Sequence, residues 1–288
     1  MILGIDVGGS TTKIVGLDTN GDCIGMLQVQ ANDQITSAFG AFGKFTTTHG
    51  LRMGDIRQIV LTGVGASYIG TSMYDLPTKR VDEFQAIGLG GLKLARLDSA
   101  LMVSMGTGTA LVKVANGCIT HLGGSGVGGG TLLNLANRFA GASSFTSIAE
   151  LAAQGNLSAV DLTLGDISKE SIGHLPPTTT VANFGNLHDN AAPADIVLGL
   201  INMIFESIGM MAIFACMDDK KENDKNGKID KSKTIHDIVL VGSLSTLKHA
   251  SKVLDSLSAM YPVRFHIPPN AIYATAVGAA LSEFDARH

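Results

Sequence analysis

Tryptophan is absent from the 288 residues, and aromatic side chains make up only 5% of them. Stacked rings therefore cannot carry most of the core, and small residues must set how closely elements approach one another. Glycine, at 35 residues, is the main candidate. Cysteine is also scarce. Cys23, Cys118 and Cys216 are odd in number and widely spaced, which argues against a disulfide framework or a metal knuckle and fits a reducing, cytoplasmic compartment. Charge is sparse as well: the formal net charge of -4 gives no electrostatic basis for a nucleic-acid partner. The basic region and long apolar run of a secretory leader are missing from the start of the sequence. The most apolar stretch, 196–216, carries Glu206 and is interrupted by glycines. A buried core helix is expected there, and no membrane span. Segment 218–233, DDKKENDKNGKIDKSK, is almost free of apolar side chains and reads as a solvated insertion.

What remains is an ordered, apolar-rich chain long enough for two domains of ordinary size or one large one. Its glycines cluster. The apolar run 101–103 leads into Gly106-Thr107-Gly108-Thr109, and a second cluster, from Gly123 and Gly124 to Gly128-Gly129-Gly130-Thr131, precedes a helix expected at 131–139. Glycines let backbone N–H groups approach an anion, hydroxyls add donors, and a helix start adds a positive end. At the N-terminus a strand ends at Asp6, followed by the turn Val7-Gly8-Gly9-Ser10-Thr11-Thr12, a return strand at 13–17, an Asn20-Gly21 hairpin signal and a third strand. Strand follows these glycines where a dinucleotide fingerprint would have helix, and no Walker A loop is present. The same scheme of strand, glycine–threonine turn, strand, Asn-Gly hairpin and strand recurs over 100–122. That repeat suggests two similar lobes, 1–98 and 99–288, the last helix of the second packing back on the first.

Further along, Phe39, Phe42 and Phe45 share one face of a helix in 32–50. A strand is expected over 55–62, an extended segment over 76–81 and a helix over 85–95 behind Asp82-Glu83. Ser147 reads as the cap of a helix at 147–154, with Glu150 in the capping-box position. A short element is expected over 156–167, a Pro176-Pro177 connector, a loop over 181–187, and a long helix over 194–216. The end of the chain reads as a strand 238–241 ending in Gly242-Ser243, a helix 247–260 capped near Ser245 or Thr246, an edge strand 263–267 and a final helix 270–284.

Taken together, Asp6 to Thr11, Gly106 to Thr109 and Gly242-Ser243 resemble the two phosphate segments and the adenosine segment of the actin, Hsp70 and sugar-kinase superfamily. Within it, Gly123 to Thr131, Glu83-Phe84, 151–161 and Ala182-Asn183-Phe184-Gly185 resemble the type II, eukaryotic-like pantothenate kinases. The resemblance covers nearly the whole chain apart from the charged insertion. It implies a two-lobed α/β fold of the actin-like, ribonuclease H-like kind, each lobe a mixed five-stranded sheet flanked by helices. It also implies a homodimer, feedback by a coenzyme A thioester, and transfer of phosphate from MgATP to pantothenate, giving 4'-phosphopantothenate at the start of coenzyme A synthesis.

On that reading Asp6 serves Mg²⁺, directly or through water. Gly8, Gly9, Ser10, Thr11 and Thr12 enclose phosphates, and Lys13 lends charge or faces solvent. Gly106, Thr107, Gly108 and Thr109 form the opposing clamp, with Gly128, Gly129 and Gly130 also on the cofactor. Gly242 and Ser243 admit the nucleoside. Glu83 is the catalytic base and touches the acceptor, as do Gly124 and Asn183. As bare residues, Asp82 and Glu83 read equally as an acidic helix start, and Asn183 as an Asx-turn residue. One departure stands out: His121 occupies the neighbourhood in which the family carries an arginine. A neutral imidazole does not replace a guanidinium fork. Either His121 works protonated, or Arg138 or Lys113 substitutes, or the acceptor differs, or His121 is structural. The alternatives are an N-acetylhexosamine kinase, a nucleotide-binding sensor without turnover, and a dehydratase activator holding an iron–sulfur cluster on paired cysteines.

Overall fold

The computed structural model describes residues 1–30, 33–170, 172–173, 175–218 and 235–285. Strands β1 (Ile2–Val7), β2 (Thr11–Leu17) and β3 (Cys23–Gln30) form an antiparallel meander. After helix α1 (Gln34–Thr48), β4 (Gln58–Thr62) lies parallel to β1, and β5 (Ser72–Met73) with β6 (Leu76–Arg80) completes a sheet of order β3-β2-β1-β4-β6-β5. Successive side chains of a strand point to opposite faces, and β1 uses both. Leu3, Ile5 and Val7 meet Phe42 and Phe45 of α1; each ring is fully buried, a burial worth about 1.5–3 kcal/mol. Ile2 on the other face meets Ala276, Val277 and Ala280.

Helix α2 (Glu83–Ala95) leads into β7 (Ala100–Met105), β8 (Thr109–Ala115) and β9 (Cys118–Ser125). Then come α3 (Gly129–Ala140), α4 (Phe145–Ala152), β10 (Leu162–Thr163), α5 (Leu164–Ile167), β11 (Thr180–Ala182) and α6 (Pro193–Asp218). The chain closes with β12 (Asp237–Val241), α7 (Ala250–Met260), β13 (Arg264–His266) and α8 (Ala274–Asp285). The second sheet has the order β13-β12-β7-β8-β9, with β12 parallel to β7. Two mixed sheets flanked by helices are therefore present as expected, the first enlarged to six strands by the two-residue β5.

The chain forms two compact units, one of Met1–Gly124, Asp237–Ser243 and His266–His288, the other of Ser125–His236 and Leu244–Phe265. In the first, glycines draw the helices together. A Cβ on Gly90 would stand 1.8 Å from Ala274 O, one on Gly278 1.8 Å from Ala86 O, and one on Gly4 2.0 Å from Ala276 O. Helix α8 thus crosses α2 backbone to backbone while lying on β1. In the second unit, α6 is the central helix. It is long and apolar enough to cross a bilayer by length and composition, yet 61% of its most apolar window is buried. Ile201, Ile204, Phe205 and Ile208 pack inside the unit, so it is a core helix.

Two helix starts differ from expectation. Helix α4 is capped by Ser144, whose Oγ accepts from Ser147 N at 3.1 Å. Ser147 thus sits at the third helical position, its hydroxyl donating to Ser144 O at 2.9 Å. Helix α7 begins at Ala250, because residues Ser243–Thr246 wind as a tighter 3₁₀ turn first. The charged segment 218–233 lies, Asp218 apart, outside the described residues, as does Asn32 at the start of the expected 32–50 helix.

Candidate functional site

The first unit gathers most of the expected site at one end of its two sheets. In the row Lys13–Asp6–Thr62, Asp6 is the register partner of both neighbours. Alternation puts all three on the face that α8 covers. Lys13 Nζ lies 3.7 Å from Asp6 Oδ2, and both residues are buried; the lysine faces inward rather than solvent. Burial pushes the Asp6 carboxyl above its ordinary value, with the Lys13 charge pulling the other way. Thr62 Oγ1 is buried and has no hydrogen-bond partner among the described residues. Gly63 follows at φ 87°, and a Cβ there would stand 2.6 Å from Asp6 Oδ1. Only glycine leaves that carboxylate oxygen its space.

The glycine turn after Asp6 is closed by Gly8 N donating to Thr11 O at 3.1 Å. It faces the second turn: Thr107 Oγ1 is 3.6 Å from where a Cβ on Gly9 would stand. Ser10 and Thr107 are exposed beside them. Thr12 is different. Its hydroxyl pairs with Ser37 Oγ at 2.9 Å in the interior, away from the turn. Gly106, Thr107 and Gly108 link β7 to β8, and Thr109 is buried at the start of β8. Gly124 lies against that same point, its absent Cβ leaving room for Thr109 O at 2.3 Å. Gly242 has φ 91°, and a Cβ on it would be 2.6 Å from Met105 O. Gly242 and Ser243 therefore emerge beside the second turn, at the common end of the parallel strands β7 and β12.

Glu83 opens α2. Asp82 caps the helix, accepting from Phe84 N and Gln85 N at 2.9 and 3.1 Å. That occupies Asp82 structurally and separates it from Glu83. The Glu83 carboxyl is pushed up to about 6, first by burial, then by the negative charges of Asp6 and Asp82, against the pull of Lys13. A helix carrying Gly88 and Gly91 can approach the second sheet closely; their absent Cβ atoms leave room for Ile119 and Met102. The approach brings Phe84 against His121 of β9. The rings stack with centroids 3.8 Å apart and planes within 6°. His121, exposed on its strand, is thus held one residue from Glu83.

The remaining candidates belong to the second unit. Gly128 precedes α3, where Thr131 Oγ1 accepts from Gly128 N at 3.2 Å and donates to Gly126 O at 3.0 Å; Gly129 and Gly130 form the first turn of that helix. Asn183 donates through Nδ2 to Glu206 Oε2 at 2.9 Å. Buried Asp161 holds the same loop by accepting from Phe184 N at 2.8 Å and from Asn202 Nδ2 at 2.7 Å. Sequence reasoning did not place Thr62, Gly63 or Phe84 in the site, although Phe84 carries part of the family resemblance. The phrase Leu61-Thr62-Gly63 signals a strand end, but nothing local says that this end pairs with Asp6.

The Asp6 site fits a magnesium ion. Mg²⁺ takes one or two carboxylates, substrate phosphates and several waters rather than an all-protein cage, and the orphaned Thr62 hydroxyl beside a carboxylate suits a bound water. Iron–sulfur ligation on paired cysteines fits less well, because Cys216 is buried in α6 while Cys23 and Cys118 lie on β3 and β9, strands of different sheets.

Two mixed sheets, an acidic strand end and two facing glycine turns define an actin-like ATPase fold. Solved structures agree: the activator of the 2-hydroxyisocaproyl-CoA dehydratase from Clostridium difficile with bound ADPNP superposes with TM-score 0.66 at 18% identity, covering 99% of this chain and 94% of that one. A ROK family glucokinase from Streptomyces griseus in complex with glucose and AMPPNP gives 0.60 at 12%, covering 97% of each. The family model Fumble matches residues 96–225. Pantothenate kinase 1 of Oryza sativa subsp. japonica is 39% identical over 123 residues, 40% of this chain and 18% of that enzyme's length. The type II pantothenate kinase of Staphylococcus aureus strain USA300 is 25% identical over 280 residues, 93% of this chain and 99% of its own length. In sequence the chain is thus similar to type II pantothenate kinases, and in fold to actin-like ATPases.

Proposed function

We propose that the protein is an ATP-dependent kinase acting on a hydroxyl of a small molecule. The observation that carries this is Glu83, a half-buried carboxyl raised to about 6 by burial and by Asp6, in the unit that also holds the two facing glycine turns. The backbone of Gly8–Thr11 and of Gly106–Thr109 would receive the phosphates, and Gly242 with Ser243 the nucleoside. Magnesium at Asp6 would neutralise phosphate charge. Phosphoryl transfer is mostly positioning and charge stabilisation. The acceptor oxygen forms its bond to the γ-phosphorus as the bond to ADP breaks, and its proton passes to Glu83. Above pH about 6 Glu83 is the base the step needs.

Pantothenate is the acceptor to test first, on the strength of a relative aligned across 93% of the chain. Two other readings rest on His121, which stands where the resemblance expects a permanent cation: a different acceptor, such as an N-acetylhexosamine, or a nucleotide sensor without turnover. Cofactor roles for Gly128, Gly129 and Gly130, acceptor roles for Gly124 and Asn183, a homodimer with coenzyme A thioester feedback, a cytoplasmic site of action and a lobe boundary at 98/99 belong to the same proposal. The test is ATP-dependent phosphorylation of pantothenate and of N-acetylglucosamine, with Glu83→Ala as control. Turnover on pantothenate that falls at least about a hundredfold in the variant supports the full reading. Turnover on the sugar alone moves the acceptor, and ATP binding without transfer to either leaves a sensor. His121→Arg gives a second check. A guanidinium carries a permanent charge and a two-pronged donor set that an imidazole lacks. If His121 substitutes for the arginine, H121R raises kcat/KM; an unchanged value makes His121 structural.

A further inference from the structure

The second unit contains two adjoining cavities of about 220 and 300 Å³. They share Leu157, Asn202, Lys252 and Val253 in their walls. Each also has a polar atom without a partner. Thr179 Oγ1 in the first and His249 Nδ1 in the second are buried and make no hydrogen bond among the described residues. Buried polar atoms are rarely left so without a reason. Lys252 stands between them on α7, exposed and forming no ion pair among the described residues.

Two other polar side chains of the lining are already engaged. Both oxygens of Glu206 are occupied, by Thr180 Oγ1 at 2.7 Å and Asn183 Nδ2 at 2.9 Å. Asn202 Nδ2 bonds Asp161 Oδ2 and reaches Thr180 Oγ1 at 3.3 Å. The buried unsatisfied atoms of the lining are therefore one hydroxyl and one ring nitrogen, with the Lys252 cation between them, facing a space at or below the small end of ordinary ligand sites, which run from about 300 Å³ upward. We infer that these cavities bind a small metabolite bearing a single oxyanion, carboxylate or phosphate, with the anion at Lys252 and its remaining polar atoms on Thr179 and His249. None of its lining residues is among those assigned to phosphoryl transfer. Because Glu206 both lines it and holds Asn183, an occupant lies one hydrogen bond from the 180–187 loop.

The test is imidazole NMR of the full chain, with the His249 signal assigned by its loss in His249→Gln. Lactate, inorganic phosphate and, as a neutral control, glycerol are titrated to millimolar concentrations. The expected result is a saturable shift of the His249 signal with lactate or phosphate and none with glycerol. Whichever anion acts names the source. Lys252→Glu should weaken that binding at least tenfold, and the near-isosteric Thr179→Val, which preserves packing, should weaken it severalfold. Binding of a fluorescent ATP analogue, read in parallel, should be unchanged in both variants, so failure here is distinguishable from failure of the kinase reading. No saturable shift with either anion, the same shift with glycerol, or full binding in both variants would overturn the inference and leave cavities filled with water.

Discussion

Glu83 has opposing effects on stability and on chemistry. Its folded value of about 6 lies above the ordinary 4.5, so the native state holds the proton more tightly than the unfolded chain. Stability then falls as pH rises from about 4.5 to about 6, and at neutral pH the ionised group costs at most about 2 kcal/mol. Glu83→Gln should therefore raise the unfolding free energy at pH 7 by up to that amount, lose the gain below pH 4.5, and abolish the acid limb of the kcat/KM profile near pH 6. Denaturant melts at the two pH values check the first part and pH–rate profiles the second. At this scale the sequence was readable where chemistry is local. A carboxylate ending a strand before glycines marks Asp6, and an acidic pair marks a helix start. It was unreadable where two distant strands had to meet. Thr62 acquires its place only through the β1–β4 register, and the Phe84–His121 stack exists only because α2 lies tight on β9.

That tightness is a property of elements. The crossing of α2 and α8 rests on Gly90 and Gly278, at which any Cβ would enter the opposite backbone. Gly90→Val should push the helices apart and cost more than about 3 kcal/mol, while turning Phe84 away from His121. A fall in thermal midpoint with loss of the ring-current shift on the His121 resonance would show both; a tolerated valine would refute the close crossing. Periodicity located nearly every element, because alternation and glycine punctuation are strong signals. Ends were harder. Ser147 read as a cap, yet it stands at the third position of a helix capped by Ser144. The glycines of α2 and α8, which lower helix propensity when read alone, make sense only once the second helix is present.

At the scale of the whole molecule, the first unit is assembled from three separate stretches of chain. Residues 1–124 alone would lack β12 beside β7 and α8 over β1, leaving one strand edge and one apolar face open. Such a fragment should fail to fold cooperatively, showing no sharp thermal transition, whereas adding a separate peptide of residues 264–288 should restore part of the order on the first sheet. The duplicated glycine turns made the two-sheet plan visible in the sequence; the interleaving was not visible, since it depends on contacts between the two ends of the chain. Timing in the cell follows from this. Between the ribosome releasing β1 and releasing α8, roughly 280 residues must be made, which at about 5–20 residues per second takes about 14–56 s. For most of that interval Ile2, Val15 and Val60 have no lid, and the strand bearing Asp6 becomes fully enclosed only once α8 has been made.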